Sequence, residues 1–426
     1  MNFQQICVVG LGYIGLPTAA TFAANGQNVL GVDVNRSILE KLSRGELHIV
    51  EPGLLELFQT AVNSGKLTFD SAPKPSDAFI IAVPTPFKDG KLADMSFVIS
   101  AAESILPHLR PGNLVVLEST SPPRTTTQLL QPILERNGLR AGIDFFLAYS
   151  PERVLPGQIL RELIENARVI GGVNPISAEV GKALYGKFVK GEIVTTDATT
   201  AEMVKLMENT FRDINIAAAN EFARLADRFG VDVWEAIQIA NRHPRVKILN
   251  PGPGVGGHCI SVDPWFLVES APDLSKLILS ARQVNDSQPA FVVEWIKRQT
   301  TSLQGKRILA LGLSYKPDVD DFRESPAVET VHLLHQAGAV ITAFDPFVNG
   351  HTIKNVSLVN SIQELQNDID LVVVLVSHQQ FKQTDLPEML NGKTVFDTVN
   401  LTNTAAWQGY PGKIFRLGDG KQQRSE

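Results

Sequence analysis

Two cysteines in 426 residues are too few for a disulfide framework, and Cys7 and Cys259 lie far apart in the chain. Such usage suits a reducing compartment. Basic runs are missing as well. The net charge is −6, and no Lys/Arg cluster interleaves with aromatic residues, so nucleic acid is not an expected partner. Long apolar runs are absent. The longest, such as "LVVVLV", fall far short of the ~20 residues that span a bilayer, so no membrane partner is expected. The opening "MNFQQICVVGLGYIGLP" lacks the basic stretch and cleavage site of a secretory leader, and the expected location is the cytoplasm. What is present is ordinary for a soluble protein with real cores: 44% hydrophobic and 20% charged residues, in a length that suggests about two to three domains.

The first motif lies at the start. "ICVVGLGYIG" is a β-branched run closing in Gly10-x-Gly12-x-x-Gly15. A helical stretch follows to Gly26, and then "NVLGVD", a second strand ending at Asp33. Strand, glycine turn, helix, strand and acid form the dinucleotide-binding unit. Gly10 permits the tight turn, Gly12 lets a pyrophosphate approach the backbone, and Gly15 lets the helix pack on the strand. Asp33 is suited to accept hydrogen bonds from ribose hydroxyls and to repel a 2′-phosphate, so NAD is the expected cofactor. No metal is expected.

Three further runs, "DAFIIAVPTP", "NLVVLESTSPP" and "DFFLAYSPERV", read as buried strands. Thr85, Thr120 and Glu152 fall at their carboxyl ends, where ligands of open α/β sheets lie. Each also fits a loop or a helix cap. From Thr199 to Val231 apolar residues recur at steps of three and four, which predicts one long amphipathic helix. On it Lys205 and Asn209 share a face, and Arg212 extends that face. A solvated surface lysine is the plain alternative. Helical stretches follow, with a break expected at Pro289. From "GKRILALGLSYK" onward, strands and helices alternate again as a second α/β sheet whose first turn lacks the full glycine pattern.

"PGPGVGGHCISVDPWF" puts Cys259 in a loop of glycine and proline, with Asp263 four residues on. A small structural cysteine is the common reading of such a residue. Beside a nicotinamide, a thiolate offers more. An aldehyde is a poor hydride donor until a nucleophile adds to it, and the resulting thiohemiacetal gives a thioester that water cleaves. Gly256 and Gly257 let backbone N–H groups approach a developing oxyanion, and Asp263 is suited to activate water. These residues reach an NAD enzyme with a candidate covalent cysteine step, and no substrate.

"VVGLGYIGLP", "IAVPTPF", "ESTSPP", "SPERVLPG", "AEMVKLMENTFRDINIAAANE", "NRHPRVKILNPGPGVGGHCISVDPWF" and "LGLSYKPDVDDFRESP" together resemble the UDP-glucose/GDP-mannose dehydrogenase family over essentially the whole chain. The resemblance implies oxidation of a sugar-nucleotide C6 alcohol to a carboxylate with two NAD per turnover. It implies Cys259 as nucleophile, Lys205 as general acid/base and oxyanion partner, and Asn209 as holder of the substrate oxygen and a water. Glu152, Thr120 and Asp263 match the remaining catalytic positions. Tyr13, Ile14, Asp33, Thr85, Thr120 and Thr126 match cofactor contacts. Arg153, Val154, Arg212 and the "NPGPGVGG" loop with Gly256 match sugar-nucleotide contacts, and Tyr315, Lys316 and Arg323 match the C-terminal site, Arg323 toward cofactor. Arg245, with His243 beside it, matches an arginine that reaches the partner subunit's substrate, so a homodimer with a shared active site is expected.

The implied fold is α/β: two Rossmann-like doubly wound domains joined by a long central helix and a helical dimerisation region. The expected domains are 1–197 for NAD, 198–302 for the central region with the cysteine loop, and 303–426 for the UDP-sugar. His258, Val262 and "SPERVLPG" resemble the N-acetylated-sugar branch, which makes UDP-N-acetyl-D-mannosamine the expected substrate. The product would feed a bacterial surface polysaccharide. UDP-N-acetylglucosamine, UDP-N-acetylgalactosamine and UDP-glucose are alternatives, and a non-catalytic nucleotide sensor is a rival of another class. Two departures stand out: Arg124 replaces a usual glycine before Thr126, and Val399 follows Asp397-Thr398 where a polar or basic side chain would suit a nucleotide.

Overall fold

The computed structural model describes residues 3–257, 259–347, 352–362, 369–383 and 385–421. Its chain divides into two compact units, Met1–Glu208 with Trp265–Pro272, and Asn209–Pro264 with Asp273–Glu426.

The first unit is built on eight strands: β1 (Gln5–Val9), β2 (Asn28–Val32), β3 (Leu67–Asp70), β4 (Ala78–Ile81), β7 (Leu114–Leu117), β8 (Phe146–Tyr149), β9 (Arg168–Gly172) and β10 (Ile193–Asp197), with β5 (Phe87–Lys88) and β6 (Leu92–Ala93) forming a small separate hairpin. Their order is β10-β9-β8-β7-β4-β1-β2-β3. Side chains alternate across the sheet: Ile6 and Val8 enter one apolar core, Cys7 and Val9 the other. Both faces are covered at its centre, so β4 and β7 are apolar throughout rather than alternating. The order reverses beside β1, with β2 on one side and β4 on the other, which puts the crevice of this sheet above the β1 turn. One pairing departs from the parallel pattern. β8 meets β9 antiparallel through Ala148 and Tyr149, and β9 and β10 then run parallel to each other.

The second unit carries an all-parallel sheet of order β13-β12-β11-β14-β15-β16. Its strands are β11 (Arg307–Leu311), β12 (Val340–Phe344), β13 (Ser357–Leu358), β14 (Leu371–Val374), β15 (Thr394–Asp397) and β16 (Ile414–Arg416). Alternation recurs here: Ile308 and Ala310 face one core, Leu309 and Leu311 the other. The helix Val233–Ala240 docks on the last strand, where Trp234 Nε1 donates to the Leu417 carbonyl at 2.9 Å and Arg416 pairs with Asp232 at 2.9 Å.

The long helix runs from Ala198 to Phe229, 32 residues. Several of its polar residues are buried: Glu202, Lys205, Asn209, Asp213 and Asn220. Several of its apolar positions face outward, with Phe211 at 68% and Phe229 at 71% exposed. The break expected at Pro289 occurs two residues earlier. Lys276–Asp286 ends before Ser287, and Pro289 sits in the first turn of Gln288–Gln299, where its missing N–H costs nothing.

Candidate active site

The dinucleotide turn is shaped by its three glycines in different ways. Gly10 has φ +96°, and a Cβ there would lie 2.6 Å from the Ala82 carbonyl oxygen. A Cβ on Gly15 would fall 1.8 Å from the Gly10 carbonyl oxygen. Gly12 differs, since a Cβ there would meet nothing within 4 Å, and the open space above its backbone is what a pyrophosphate needs. The helix Gly15–Ala24 then starts at Ile14 without a side-chain cap and without an acidic residue in its first turn, so its N-terminus is open to a phosphate. Asp33 is half-buried. Its Oδ2 accepts from the Leu11 N–H and its Oδ1 from the Asn35 N–H, both at 2.9 Å. The carboxylate is thereby fixed beside the turn with lone pairs left for ribose hydroxyls. The residues present fit NAD.

Two of the strand-end loops meet. The Thr85 hydroxyl donates to the Thr120 carbonyl at 2.8 Å, and the Ser119 hydroxyl donates to the Val83 carbonyl at 2.7 Å. Arg124 takes φ +72°, the left-handed conformation that its glycine counterpart would supply. Glu202 holds that turn: its carboxylate accepts from the Arg124 N–H at 2.5 Å and from the Thr126 N–H and hydroxyl at 2.8 and 2.6 Å. Thr126 is fully buried, with those polar atoms committed to Glu202. Glu152 is nearly enclosed, and its Oε2 lies 2.9 Å from Arg168 Nη1. Next to it, Arg153 pairs with Glu208 at 2.6 Å. Tyr13, Ile14 and Val154 are half-buried.

Lys205 is 6% exposed, which removes the solvated-surface reading of it. Asn209, one turn on along the same helix, is fully buried. Its Nδ2 donates to Asp263 Oδ2, and its Oδ1 accepts from Arg212 Nη2. Asp263 is itself 1% exposed and opens the helix Asp263–Ser270. The turn into that helix is closed on the cysteine, whose carbonyl accepts from the Val262 N–H at 3.1 Å and the Asp263 N–H at 2.8 Å. The Cys259 side chain is exposed. Cys7 is the contrast: it is buried in β1, and burial pushes its thiol up to about 12, which makes it inert. His258 lies outside the described residues.

The glycines before Cys259 pack on the loop after β11. A Cβ on Gly256 would lie 2.4 Å from the Glu324 carbonyl oxygen, and one on Gly257, at φ +83°, 2.7 Å from the Tyr315 ring. The Gly257 N–H donates to the Arg323 carbonyl at 3.2 Å. Tyr315 thus meets the cysteine loop directly. The Arg323 side chain is half-exposed and pairs with Asp321 at 2.7 Å. In this second sheet Asp345 repeats the position of Asp33, its Oδ2 accepting from the Leu313 and Ser314 N–H groups at 2.7 and 3.0 Å. It is buried, however, and His378 Nε2 lies 3.0 Å away. Burial opposes its charge, but His378 and the backbone donors hold it below the usual carboxylate range. It has no opening to a ribose. A cavity of about 420 Å³ lies instead at the carboxyl ends of β14 and β15, lined by Asn250, Ser377, Lys382, Val399, Asn400 and Thr404 among others. Lys382 and the amides supply its polarity where Val399 does not.

Family models for the UDP-glucose/GDP-mannose dehydrogenase NAD binding domain, central domain and UDP binding domain match residues 4–189, 199–287 and 309–404. The chain belongs to the UDP-glucose/GDP-mannose dehydrogenase family. It is 47% identical over 431 residues to the UDP-N-acetyl-D-mannosamine dehydrogenase of Methanococcus maripaludis, covering 98% of each chain. It is also 47% identical to the NDP-N-acetyl-D-galactosaminuronic acid dehydrogenase of Ralstonia nicotianae, over 93% of this chain and 96% of that one. The structure of a UDP-D-ManNAc dehydrogenase from Pyrococcus horikoshii superposes with a TM-score of 0.91 at 39% identity, over 98% of this chain and 100% of that one. The protein is therefore an NAD-dependent UDP-sugar dehydrogenase with two Rossmann-like sheets.

For this dehydrogenase the first unit joins Asp33, the glycine turn, Thr85 and Thr120 around one crevice. The second joins Cys259, Asp263, Asn209, Arg212 and Tyr315. His243 and Arg245 are exposed, with the Arg245 N–H donating to His243 Nδ1 at 3.3 Å. Sequence reasoning missed Glu118, Arg168, Tyr185 and Glu202, buried polar residues that hold the predicted ones. Glu118 had a legible signal, a carboxylate directly after the apolar run "LVVL" and before Ser119-Thr120. Arg168 opens an otherwise apolar strand and had none.

Proposed function

We propose that the chain oxidises the C6 alcohol of UDP-N-acetyl-D-mannosamine to the carboxylate through a covalent bond to Cys259. The observation that carries this reading is the cysteine loop. An exposed thiol sits on a turn made rigid by Gly256, Gly257 and Tyr315, and the next helix begins with a buried Asp263 held by Asn209. Two relatives whose names carry N-acetylmannosamine, at 47% and 39% identity, support the sugar. The galactosaminuronate relative at 47% supports the rival, since the two sugars differ only in ring stereochemistry.

Gly12, the open helix N-terminus and Asp33 would hold NAD, and two NAD molecules bound in succession would each supply the hydride acceptor for one of the two oxidations. In the first, the C6 hydroxyl gives its proton to a protein base, with Lys205 and Glu152 as the proton-handling groups. The Cys259 thiolate then adds to the aldehyde carbon, and Lys205 stabilises the oxyanion of the thiohemiacetal. Loss of the second hydride leaves a thioester. Water adds to it, a carboxylate takes the water's proton, and the C–S bond breaks to return the thiolate and release the uronate. That product suits assembly of an acidic bacterial surface polysaccharide.

The proposal includes a homodimer. Met207, Phe211, Phe222, Leu225 and Phe229 form an outward apolar stripe along the long helix, and a shallow apolar groove of about 270 Å³ continues it through Val233, Ala236 and Ile237. Burying such a stripe against a second copy removes it from water. The exposed Arg245 and His243 would then serve the neighbouring subunit. The test is turnover of purified protein with NAD and four UDP-sugars: N-acetylmannosamine, N-acetylglucosamine, N-acetylgalactosamine and glucose. Two NADH per uronate formed from the mannosamine compound is the expected result. Preference for another sugar refutes the substrate, and Cys259→Ala forming uronate at near wild-type rate refutes the mechanism.

A further inference from the structure

Behind Glu152 lies a buried charge cluster that the reaction scheme leaves without a role. Arg168, at the start of β9, is 4% exposed. Its three nitrogens are all used. Nη1 reaches Glu152 Oε2 at 2.9 Å, Nη2 reaches Glu118 Oε1 at 2.6 Å, and Nε donates to the Ser150 hydroxyl oxygen at 2.8 Å. The guanidinium stacks 3.9 Å over the Tyr185 ring, and the Tyr185 hydroxyl donates to Glu118 Oε1 at 2.7 Å. Glu118 is reached on its other oxygen by the Thr18 hydroxyl, at 3.5 Å, from the helix that follows the dinucleotide turn.

Two carboxylates thus share one buried guanidinium. Such a set is costly to bury, and a well-packed apolar core would serve stability as well. Its geometry points elsewhere. Glu118 follows β7, Glu152 follows β8 and Arg168 begins β9, so the ends of three strands bring one fork to Glu152 and Glu118 together. Arg fixes carboxylates in a plane because its donors form a rigid fork. We propose that Arg168 and Glu118 are positioning residues that set both the orientation and the charge of Glu152. This rests on the reading of Glu152 as a proton-accepting carboxylate of the reaction.

The division of charge follows from Coulomb's law in a medium of low dielectric. Burial, with Arg168 opposing it, pushes Glu118 up to about 7. Below neutral pH Glu118 is therefore largely neutral, and Arg168 is left as the charged partner of Glu152. Tyr185 remains a donor, because burial and then Glu118 raise its pKa well above that of a free phenol. The other oxygen of Glu152, Oε1, accepts from the Arg153 N–H at 2.8 Å, and the Arg153 side chain pairs with Glu208 at 2.6 Å.

The test uses the full-length enzyme and compares kcat against pH for wild type, Glu118→Gln, Arg168→Gln and Glu152→Gln. Glu118→Gln keeps size and most hydrogen bonds but leaves Arg168 to Glu152 alone. Because Glu118, raised to about 7, is already neutral along the acid limb, that limb should stay within about 0.3 unit of wild type. Arg168→Gln removes the cation, and its acid limb should move to higher pH by roughly half to one unit. KM for NAD should stay within about twofold in both, since neither residue faces the glycine turn. If Arg168→Gln does not fold, Arg168→Lys keeps the cation without the fork. Its limb should stay in place while kcat falls roughly tenfold. A limb that moves by more than about half a unit in Glu118→Gln, or one that stays fixed in Arg168→Gln, overturns the pair while leaving Glu152 intact. A Glu152→Gln enzyme as fast as wild type overturns the reading of Glu152 itself.

Discussion

Asp33 should make the enzyme reject NADP, and the structure sets the scale of that rejection. Its carboxylate is held at 2.9 Å by the Leu11 N–H and at 2.9 Å by the Asn35 N–H. Swinging away from an incoming phosphate would strand the Leu11 donor inside the glycine turn, at about 1–3 kcal/mol. Staying in place sets a unit charge against a phosphate carrying roughly −1.5 to −2. At about 4 Å and an effective dielectric near 20, a single pair of like unit charges costs about 4 kcal/mol before solvent screening. The ribose hydrogen bond to a charged acceptor is lost as well, at about 1.5–3 kcal/mol. Since Asp33 is half-buried, about 3–5 kcal/mol in total survives screening, or roughly 10²- to 10⁴-fold in kcat/KM. Initial rates of cofactor reduction at saturating UDP-sugar measure the ratio directly. Asp33→Asn should raise kcat/KM for NADP at least tenfold and lower it for NAD. A wild-type ratio under tenfold, or an Asp33→Asn variant with the same ratio as wild type, would refute the assignment.

Asp227 on the long helix should tie stability to pH. Burial, with Asp419 nearby, pushes its pKa from 3.8 up to about 7. A folded-state pKa above the unfolded value means stability that is full below about pH 4 and lost as pH rises through 7. Asp227→Asn should therefore raise the melting temperature at pH 8 more than at pH 5, by at most about 4 kcal/mol in free energy; equal effects at both pH values would count against it. Gly257→Ala should cost about 1–3 kcal/mol and most of the activity, because of its φ of +83° and the 2.7 Å approach to Tyr315. Gly252→Ala, with nothing within 4 Å, is the matched control, and denaturant midpoints with activity assays compare the two. Mixing Arg245→Ala with Cys259→Ala subunits should restore about a quarter of wild-type activity, because half of the re-formed dimers are hybrids with one complete site. No recovery despite demonstrated subunit exchange argues against the shared site.

The dinucleotide turn and the strands around it were legible in the amino-acid order because their causes are local. Gly15 answers to the Gly10 carbonyl five residues before it and Gly12 to the open space above its backbone, although Gly10 meets Ala82 from the next strand's end; the apolar runs of β1, β4 and β7 answer to a sheet covered on both faces. Arg124 shows the limit of such reading. It departs from the expected glycine, yet takes the same left-handed conformation because Glu202, 78 positions away, accepts its N–H. The long helix shows it again. Its period of three and four was plain in the sequence, but periodicity names a face without saying what covers it. Only the tertiary structure turned Glu202, Lys205, Asn209 and Asp213 inward and left Phe211 and Phe229 outside. The same holds for Glu118, Glu152 and Arg168. Each sits at the end of a different strand, and no spacing along the chain encodes their meeting. A buried charge is tolerated only where its partners converge from every side, and that convergence belongs to the fold as a whole.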